Sequence, residues 1–201
     1  MKILTEQAIK LLESGAVIAI PTDTVYGLAV SHEKPIAINT LFELKKRPKS
    51  NPLVLFIRDI NELTYFVEEI PTDGKAIMDA FWPGPLTLVL PAKNSSTIAI
   101  RIPNQVLILN LLKQTGPLFV TSANISGTPT LTTISDIEAT FGNNFPVLDG
   151  KFQTLGTPST ILSFENNFWQ IDRTGPISAE DLFPILGYYP KNKLTFTPNS
   201  A

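Results

Sequence analysis

The chain has 201 residues, of which 43% are hydrophobic and 17% are charged, and its formal net charge is −2. This length and composition predict one domain with a substantial core and argue against intrinsic disorder. The small net charge argues against nonspecific binding along a nucleic acid. No apolar segment approaches the roughly 18 residues of a membrane-spanning helix, so we expect a cytoplasmic protein without a membrane partner.

Helix and strand patterns alternate along most of the chain. Thr5 is expected to cap the first helix and Gly15 to end it, while Ser135 is expected to cap the sixth helix. The predicted helices cover residues 6–14, 35–44, 59–67, 74–81, 106–113, 135–141 and 178–186. The predicted strands cover residues 16–20, 53–57, 86–90, 98–102, 118–121, 159–163 and 168–173. The last two strands flank Asn166-Asn167 as the strands of a β-hairpin do.

This alternation, with a hairpin and neighbouring strands, predicts an α/β fold rather than a regular doubly wound one. We expect an open, twisted sheet of mixed strand direction with helices packed against it. Residues 1–188 are predicted to form a single domain, and residues 189–201 a flexible C-terminal tail that contains Asn and Pro.

Residues that serve many catalytic mechanisms are scarce. The chain contains no cysteine, which excludes disulfides, thiolate catalysis and cysteine-ligated metals. Its one histidine, His32, cannot form a metal-binding histidine cluster and argues against a serine–histidine triad. The glycines form neither of the common phosphate-binding loop motifs. Side chains must therefore hold any bound phosphate, and we expect no metal site built by the protein.

Polar residues follow two of the predicted apolar strands directly. Asp23 and its flanking threonines come after strand 16–20, and Ser122 and Asn124 come after strand 118–121. Cations are spread along the chain at Lys45, Arg47, Arg101 and Arg173. Hydroxyl groups combined with fixed cations indicate a site for an anionic ligand.

Several motifs together resemble those of the YrdC-like threonylcarbamoyl-AMP synthases, in the same order and over nearly the whole chain. They are Pro21–Leu28, Leu44–Pro48 with Asn51–Leu53, Trp82–Thr87, Ala99–Pro103 and Ser122–Pro129. The resemblance implies an α/β fold around a deep, positively charged cavity. It also implies a nucleotidyltransferase that makes threonylcarbamoyl-AMP and pyrophosphate from L-threonine, bicarbonate and ATP.

ATP is then a substrate, accompanied by Mg²⁺, and no tightly bound cofactor is expected. The product feeds the threonylcarbamoyladenosine modification of tRNA, so the implied partners are downstream tRNA-modifying enzymes and, weakly, tRNA itself. Two alternatives stay open on the sequence: an RNA-binding module of the same fold, and a paralogue that carbamoylates a different acceptor.

The resemblance also implies roles for individual residues. The catalytic set is Lys45, Arg47, Ser122 and Asn124. The nucleotide contacts are Arg47, Asn51, Thr97, Asn124, Thr132 and Arg173. The contacts to the amino acid are Thr24, Arg101, Ser122 and Ser159. Phe56 departs from the family, part of which carries a histidine there, and Asn104-Gln105 departs from its acidic–histidine pair.

Each role has a simpler structural alternative. Lys45 and Arg47 could be cations that stabilise the C-terminus of a helix. Arg101 lies within an apolar strand, where it must face a cavity or a partner because an unpaired buried charge is costly; it could also be a surface residue of an edge strand. Arg173 could pair with the adjacent Asp172. Asn51 and Thr24 could be ordinary turn residues. Asp23 could orient an amine or a cation, or cap a helix.

Overall fold

The structure is a computed structural model that describes residues 1–150 and 154–193. One mixed sheet of ten strands runs through it, in the order β1-β8-β2-β3-β7-β4-β6-β5-β9-β10. The strands are β1 Lys2–Ile3, β2 Ile18–Ile20, β3 Gly27–Ser31, β4 Val54–Phe56, β5 Leu86–Ala92, β6 Ser95–Arg101, β7 Leu118–Ser122, β8 Val147–Leu148, β9 Thr160–Glu165 and β10 Phe168–Arg173. The central strands pair both ways: β3 is antiparallel to β2 and β7, and β4 is parallel to β6.

In the described part of the chain, seven α-helices and one short 3₁₀-helix, Ile60–Glu62, connect these strands. The helices are α1 Thr5–Glu13, α2 Pro35–Leu44, α3 Leu63–Phe66, α4 Gly74–Phe81, α5 Val106–Thr115, α6 Ile134–Phe141 and α7 Ala179–Leu186. The predicted fold class, an α/β fold with a large mixed sheet flanked by helices, is confirmed. None of the helices in the described ranges has the length and hydropathy that a bilayer span requires.

The two halves of the sheet are covered differently. Around β3, alternation of side chains buries Ala29 against α1 and α5, and Leu28 and Val30 against α2 and α6, so helices cover both faces. In the half formed by β4, β6, β5 and β9, one face packs against α4 and α7 through residues such as Leu88 and Ile100. The opposite face of this half carries the cavity described below.

Helix ends follow local signals with small shifts. Leu4, not Thr5, is the N-cap of α1, and its N–H is bonded by the side chain of Gln7 at 2.9 Å. Thr133, not Ser135, caps α6 by accepting from the backbone N–H of Asp136. Gly15 ends α1 as predicted, with a φ of +83° that few other residues adopt. Both incorrect caps lie one or two residues from the real ones.

Three strands were not predicted: β1, β3 and β8. β1 and β8 have only two residues each, and pairing with distant strands defines them. β3 is buried along its whole length and begins at Gly27, so it lacks the alternation that identifies a half-buried strand. A Cβ at Gly27 would lie 2.6 Å from Cγ1 of Val120, so glycine is what lets β3 approach β7 here.

The structure describes residues 189–193 of the predicted C-terminal tail. Ile171 in β10 donates its N–H to Lys191 O at 2.9 Å and accepts from Lys193 N–H at 2.8 Å. Residues 191–193 therefore lie alongside β10 and extend the edge of the sheet. The remainder of the predicted tail, residues 194–201, lies outside the described residues.

Candidate active site

A cavity of about 280 Å³ lies on the uncovered face of the sheet. Alternate residues of β4, β5 and β6 form its floor, because their neighbours in sequence point to the opposite core. Its polar lining comes from widely separated parts of the chain: Thr22, Thr24, Arg47, Asn51, Thr87, Arg101, Thr121, Ser122, Ser159, Asp172 and Arg173. The fold thus brings the predicted arginines and most of the predicted hydroxyl groups to one cavity.

Arg101 is the most deeply buried of these cations, with 3% of its surface exposed. Its guanidinium donates to Asp23 Oδ1 at 2.6 Å, to Thr24 Oγ1 at 2.9 Å and to the Gly84 carbonyl at 2.9 Å. It also lies over the ring of Phe56, 5.5 Å from the centroid. Burial lowers the pKa of Arg101, and the charge of Asp23 opposes this shift. Asp23 therefore orients a cation, which was one of the alternatives open on the sequence.

Arg173 enters the cavity where β10 is irregular. The register between β9 and β10 shifts between Ile171 and Arg173, and a bulge of this kind redirects side chains. Arg173 donates to the Ser159 carbonyl at 2.8 and 3.0 Å and to Ser159 Oγ at 3.1 Å. Burial, followed by the positive charges of Arg101 and Arg47, lowers the pKa of Arg173 to about 10. The three arginines are thus close enough to interact.

Asp172 does not serve as the partner of Arg173. It instead accepts from Ser163 Oγ at 2.9 Å and forms an ion pair with Lys193 at 3.7 Å. Among the residues that line the cavity, Asp172 supplies the only carboxylate. The simpler interpretation of Arg173 as a hairpin-end residue paired with Asp172 is therefore wrong.

Arg47 is held by the turn that follows it. Its Nε donates to the Asn51 carbonyl at 2.9 Å and its Nη2 to the Pro52 carbonyl at 3.0 Å. Burial lowers the pKa of Arg47. Asn51 lines the cavity, and its backbone also fixes the arginine that was predicted to bind the nucleotide with it.

Lys45 differs from Arg47 in both burial and partners. Lys45 is 1% exposed, and its ammonium group donates to the Ser122 carbonyl, to Asn124 O at 2.9 Å and to Asn124 Oδ1 at 2.9 Å. Ser122 Oγ donates to the same amide oxygen at 2.7 Å. Burial, and to a smaller extent the charge of Arg47, lowers the pKa of Lys45 to about 8. Lys45 and Asn124 thus lie behind the cavity wall that Ser122 forms.

The predicted residues divide into two groups. Those that line the cavity are Thr24, Arg47, Asn51, Arg101, Ser122, Ser159 and Arg173. The other predicted residues do not line this cavity. Lys45 and Asn124 support its wall from behind, and Thr97 borders a second depression of about 240 Å³, which shares Pro52 and Ala99 with the main cavity. Thr132 is exposed before α6 and lines neither the cavity nor this depression.

Thr22, Thr87, Thr121 and Asp172 line the cavity but were not predicted as site residues. Thr87 lies within the apolar strand β5, is fully buried and bonds Ser159 Oγ at 2.8 Å. A polar residue within an apolar run was the signal that identified Arg101, and the same signal applied to Thr87 would have found it. Asp172 was considered only as a partner for Arg173.

Residues 10–175 match the model of the Sua5/YciO/YrdC family, described as "Telomere recombination". The chain is 35% identical over 193 residues to a threonylcarbamoyl-AMP synthase of Bacillus subtilis, covering 90% of this chain and 56% of that protein. It is 32% identical over 166 residues to the Klebsiella pneumoniae synthase, covering 77% of this chain and 87% of that protein. The chain therefore spans little more than half of the Bacillus relative, and the same holds for the Pyrococcus abyssi synthase, of which it covers 55%.

Solved structures of related proteins have the same fold. Sua5 of P. abyssi complexed with L-threonine superposes with a TM-score of 0.89 at 29% identity, covering 96% of this chain and 62% of that one. YciO of Escherichia coli shares the fold, with a TM-score of 0.79 at 22% identity over 92% of this chain and 98% of that one. The fold is that of a YrdC-like α/β domain. The chain belongs to the Sua5/YciO/YrdC family.

Proposed function

We propose that this protein is an L-threonylcarbamoyladenylate synthase, which makes threonylcarbamoyl-AMP and pyrophosphate from L-threonine, bicarbonate and ATP. The observation that carries the proposal is the meeting of Arg47, Arg101 and Arg173 at one cavity whose remaining polar lining consists mainly of hydroxyl groups. The synthase relatives, one of which the chain covers over 87% of its length, support the assignment.

The reaction needs no nucleophile from the protein. The amine of threonine forms a C–N bond with carbon dioxide and loses a proton, or forms it with the carbon of bicarbonate while a C–O bond breaks and water leaves; either route gives an N-carboxy anion. An oxygen of this anion attacks the α-phosphorus of ATP, and the bond to the β-phosphate oxygen breaks to release pyrophosphate. The protein has to hold two reactants in contact and balance their negative charge. A chain without cysteine and with a single histidine can do both.

On the nucleotide side, Arg47 and Arg173 are assigned to the phosphates. Charge-assisted hydrogen bonds contribute roughly 1.5–3 kcal/mol each, so two arginines provide substantial binding. Burial, and after it repulsion from Arg101 and Arg47, lowers the pKa of Arg173 to about 10, which leaves it protonated at neutral pH. A triphosphate that enters between these cations offsets their mutual repulsion, so the cavity is complementary to an anion. We infer that the cavity is positively charged when empty.

On the amino-acid side, Thr24, Ser122 and Ser159 provide hydroxyl groups and Arg101 provides the cation for the carboxylate. Asp23, Thr24 and the Gly84 carbonyl already fix the plane of the Arg101 guanidinium. A fixed guanidinium binds a carboxylate without first being ordered, and it can do so through two parallel hydrogen bonds. This assignment rests on the cavity lining and on the family resemblance, and the P. abyssi relative was crystallised with L-threonine.

Magnesium enters the proposal only with ATP. Within the described part of the chain, no group of three or more acidic or histidine side chains could hold a metal ion. Mg²⁺ keeps several waters and binds readily through substrate phosphates, so the nucleotide itself would supply its main ligands. The product is proposed to pass to tRNA-modifying enzymes.

The test is pyrophosphate release by the purified protein with ATP, L-threonine and bicarbonate, and with each omitted in turn. We expect release only with all three, and a loss of at least tenfold in kcat/KM for ATP in Arg173→Met. Arg58→Met is the matched control, because Arg58 is a surface arginine next to Glu62 outside the cavity lining. Release that is independent of threonine, or ATP binding without any release, would overturn the proposal.

Replacing threonine by serine tests the acceptor. A methyl contact supplies only about 1–3 kcal/mol of discrimination, so serine should react at least about fivefold less efficiently. An amino acid that reacts better than threonine would instead indicate the paralogue with a different acceptor, for which Phe56 offers a reason. Salt-sensitive tRNA affinity in a protein that releases no pyrophosphate would indicate the RNA-binding alternative.

A further inference from the structure

Two adjacent residues of opposite charge, Asp172 and Arg173, line the same cavity without pairing with each other. The register shift in β10 brings both toward β9, where their partners differ. Arg173 bonds to Ser159, and Asp172 bonds to Ser163. Four residues of extended chain span about 13 Å, so the two partners draw the carboxylate and the guanidinium in opposite directions along β9.

A second residue holds Asp172 from outside the sheet. Lys193 contacts Glu165 with its ammonium group and lies 3.7 Å from Asp172 Oδ1. It reaches this place because residues 191–193 run alongside β10, with backbone hydrogen bonds on both sides of Ile171. Lys193 lies beyond residues 10–175, the part of the chain that matches the family model.

The position of Asp172 matters because of the charges around it. A carboxylate that turned to Arg173 would neutralise one of the three arginines and would place a negative charge among groups assigned to phosphate. Like charges that face each other oppose binding, and a pair formed inside the protein competes with the ligand for the same N–H donors. Ser163 and Lys193 satisfy the Asp172 carboxylate on the side away from Ser159.

We propose that Lys193 is a positioning residue of the anion site: together with Ser163 it holds Asp172 away from Arg173 and so keeps this arginine available for phosphate. The inference rests on the proposed function in assigning the anion to a nucleotide phosphate. It assigns to the segment after α7 a part in the site that the family resemblance does not include.

The experiment is a double-mutant cycle on binding, with inorganic pyrophosphate and ATP as probes in isothermal titration calorimetry. Lys193→Gln is expected to weaken both ligands about threefold, the scale of an exposed ion pair. In an Asp172→Asn background, the same substitution is expected to change neither affinity, because the carboxylate that it releases is gone. Ser163→Ala should weaken both ligands as Lys193→Gln does. Lys113→Gln, at an exposed lysine of α5, is the charge-matched control.

Steady-state kinetics give the second readout: Lys193→Gln should raise the KM for ATP and leave kcat and the KM for threonine unchanged. A threefold loss that persists in the Asp172→Asn background would show that Lys193 acts by its charge alone, and would overturn the inference. So would unchanged affinities in Lys193→Gln. A parent protein that binds neither ATP nor pyrophosphate would overturn the proposed function itself. If the parent binds both, unchanged affinities in Lys193→Gln would overturn only the inference about Lys193.

Discussion

Replacing Lys45 by methionine separates support of the cavity wall from direct contact with the ligand. The side chain of this buried residue keeps its length and loses its ammonium group, which bonds to three oxygens of residues 122–124. Asn124 O loses its donor, which costs about 1–3 kcal/mol, whereas Asn124 Oδ1 keeps the Ser122 hydroxyl and the Ser122 carbonyl keeps the Asn124 N–H. Part of this is offset because a cation no longer has to be buried, as the lowered pKa of Lys45 shows. We therefore expect a net loss of about 2 kcal/mol in the free energy of unfolding.

For a chain of this size, 1 kcal/mol lowers Tm by about 2–4 °C, so Lys45→Met should unfold about 4–8 °C below the parent in a thermal scan. Lys46→Met is the matched control, because its side chain is exposed next to Lys45 and should leave Tm unchanged. The variant should also bind ATP more weakly, since the wall that carries Ser122 is loosened. An unchanged Tm together with lost ATP binding would refute the reasoning and would indicate that Lys45 contacts the nucleotide directly.

Three further predictions concern stability and the site. The pKa of Lys45 falls from 10.5 to about 8 on folding; the unfolded chain therefore binds more protons between these values, and the parent should gain stability over Lys45→Met as pH rises from about 8 to 10. Urea titrations that show a flat or falling difference would contradict this. Asp23→Asn leaves the buried Arg101 without its counterion, so urea unfolding should show a loss of about 3 kcal/mol, and the KM for threonine should rise; unchanged values of both would contradict the pairing. A Cβ at Gly175 would lie 2.6 Å from the carbonyl carbon of Ser159, so Gly175→Ala should lower stability by about 2 kcal/mol and raise the KM for ATP, whereas parent-like kinetics would show that the backbone at Ser159 can shift freely.

Elements that are bounded by proline or by turn-forming residues could be predicted from the sequence. Helices α2 and α4 have the predicted bounds, because Pro35 fixes the start of one and Trp82-Pro83 ends the other. The β9–β10 hairpin follows from Asn166-Asn167, both of which adopt positive φ values. β1 and β8 could not be predicted, because each has two residues and is defined by pairing with strands far away in the chain. β3 pairs with the neighbouring β2, but it is buried along its whole length and lacks the alternation that identifies a half-buried strand.

The candidate site, like the fold, could be predicted only in part from the sequence. The motifs identified Arg47, Arg101 and Arg173, and all three line the cavity. An arginine within an apolar segment has to face a cavity or a partner, because an unpaired buried charge is costly. The hydrogen-bond and ion-pair partners of the charged residues were harder to predict from the sequence. The acceptors of Lys45 lie 77 and 79 residues away in sequence, and the competition of Ser163 and Lys193 for Asp172 depends on a register shift and on a segment that was predicted to be loose.

The central claim is that one cavity holds a nucleotide and an amino acid side by side, with arginines from separate segments around the phosphates. Mass spectrometry of the nucleotide formed from ATP, L-threonine and ¹³C-bicarbonate tests it most directly. We expect threonylcarbamoyl-AMP that carries the label, formed by the parent and strongly reduced in both Arg47→Met and Arg173→Met. AMP without an attached label, or labelled product formed equally well by the two variants, would contradict the account.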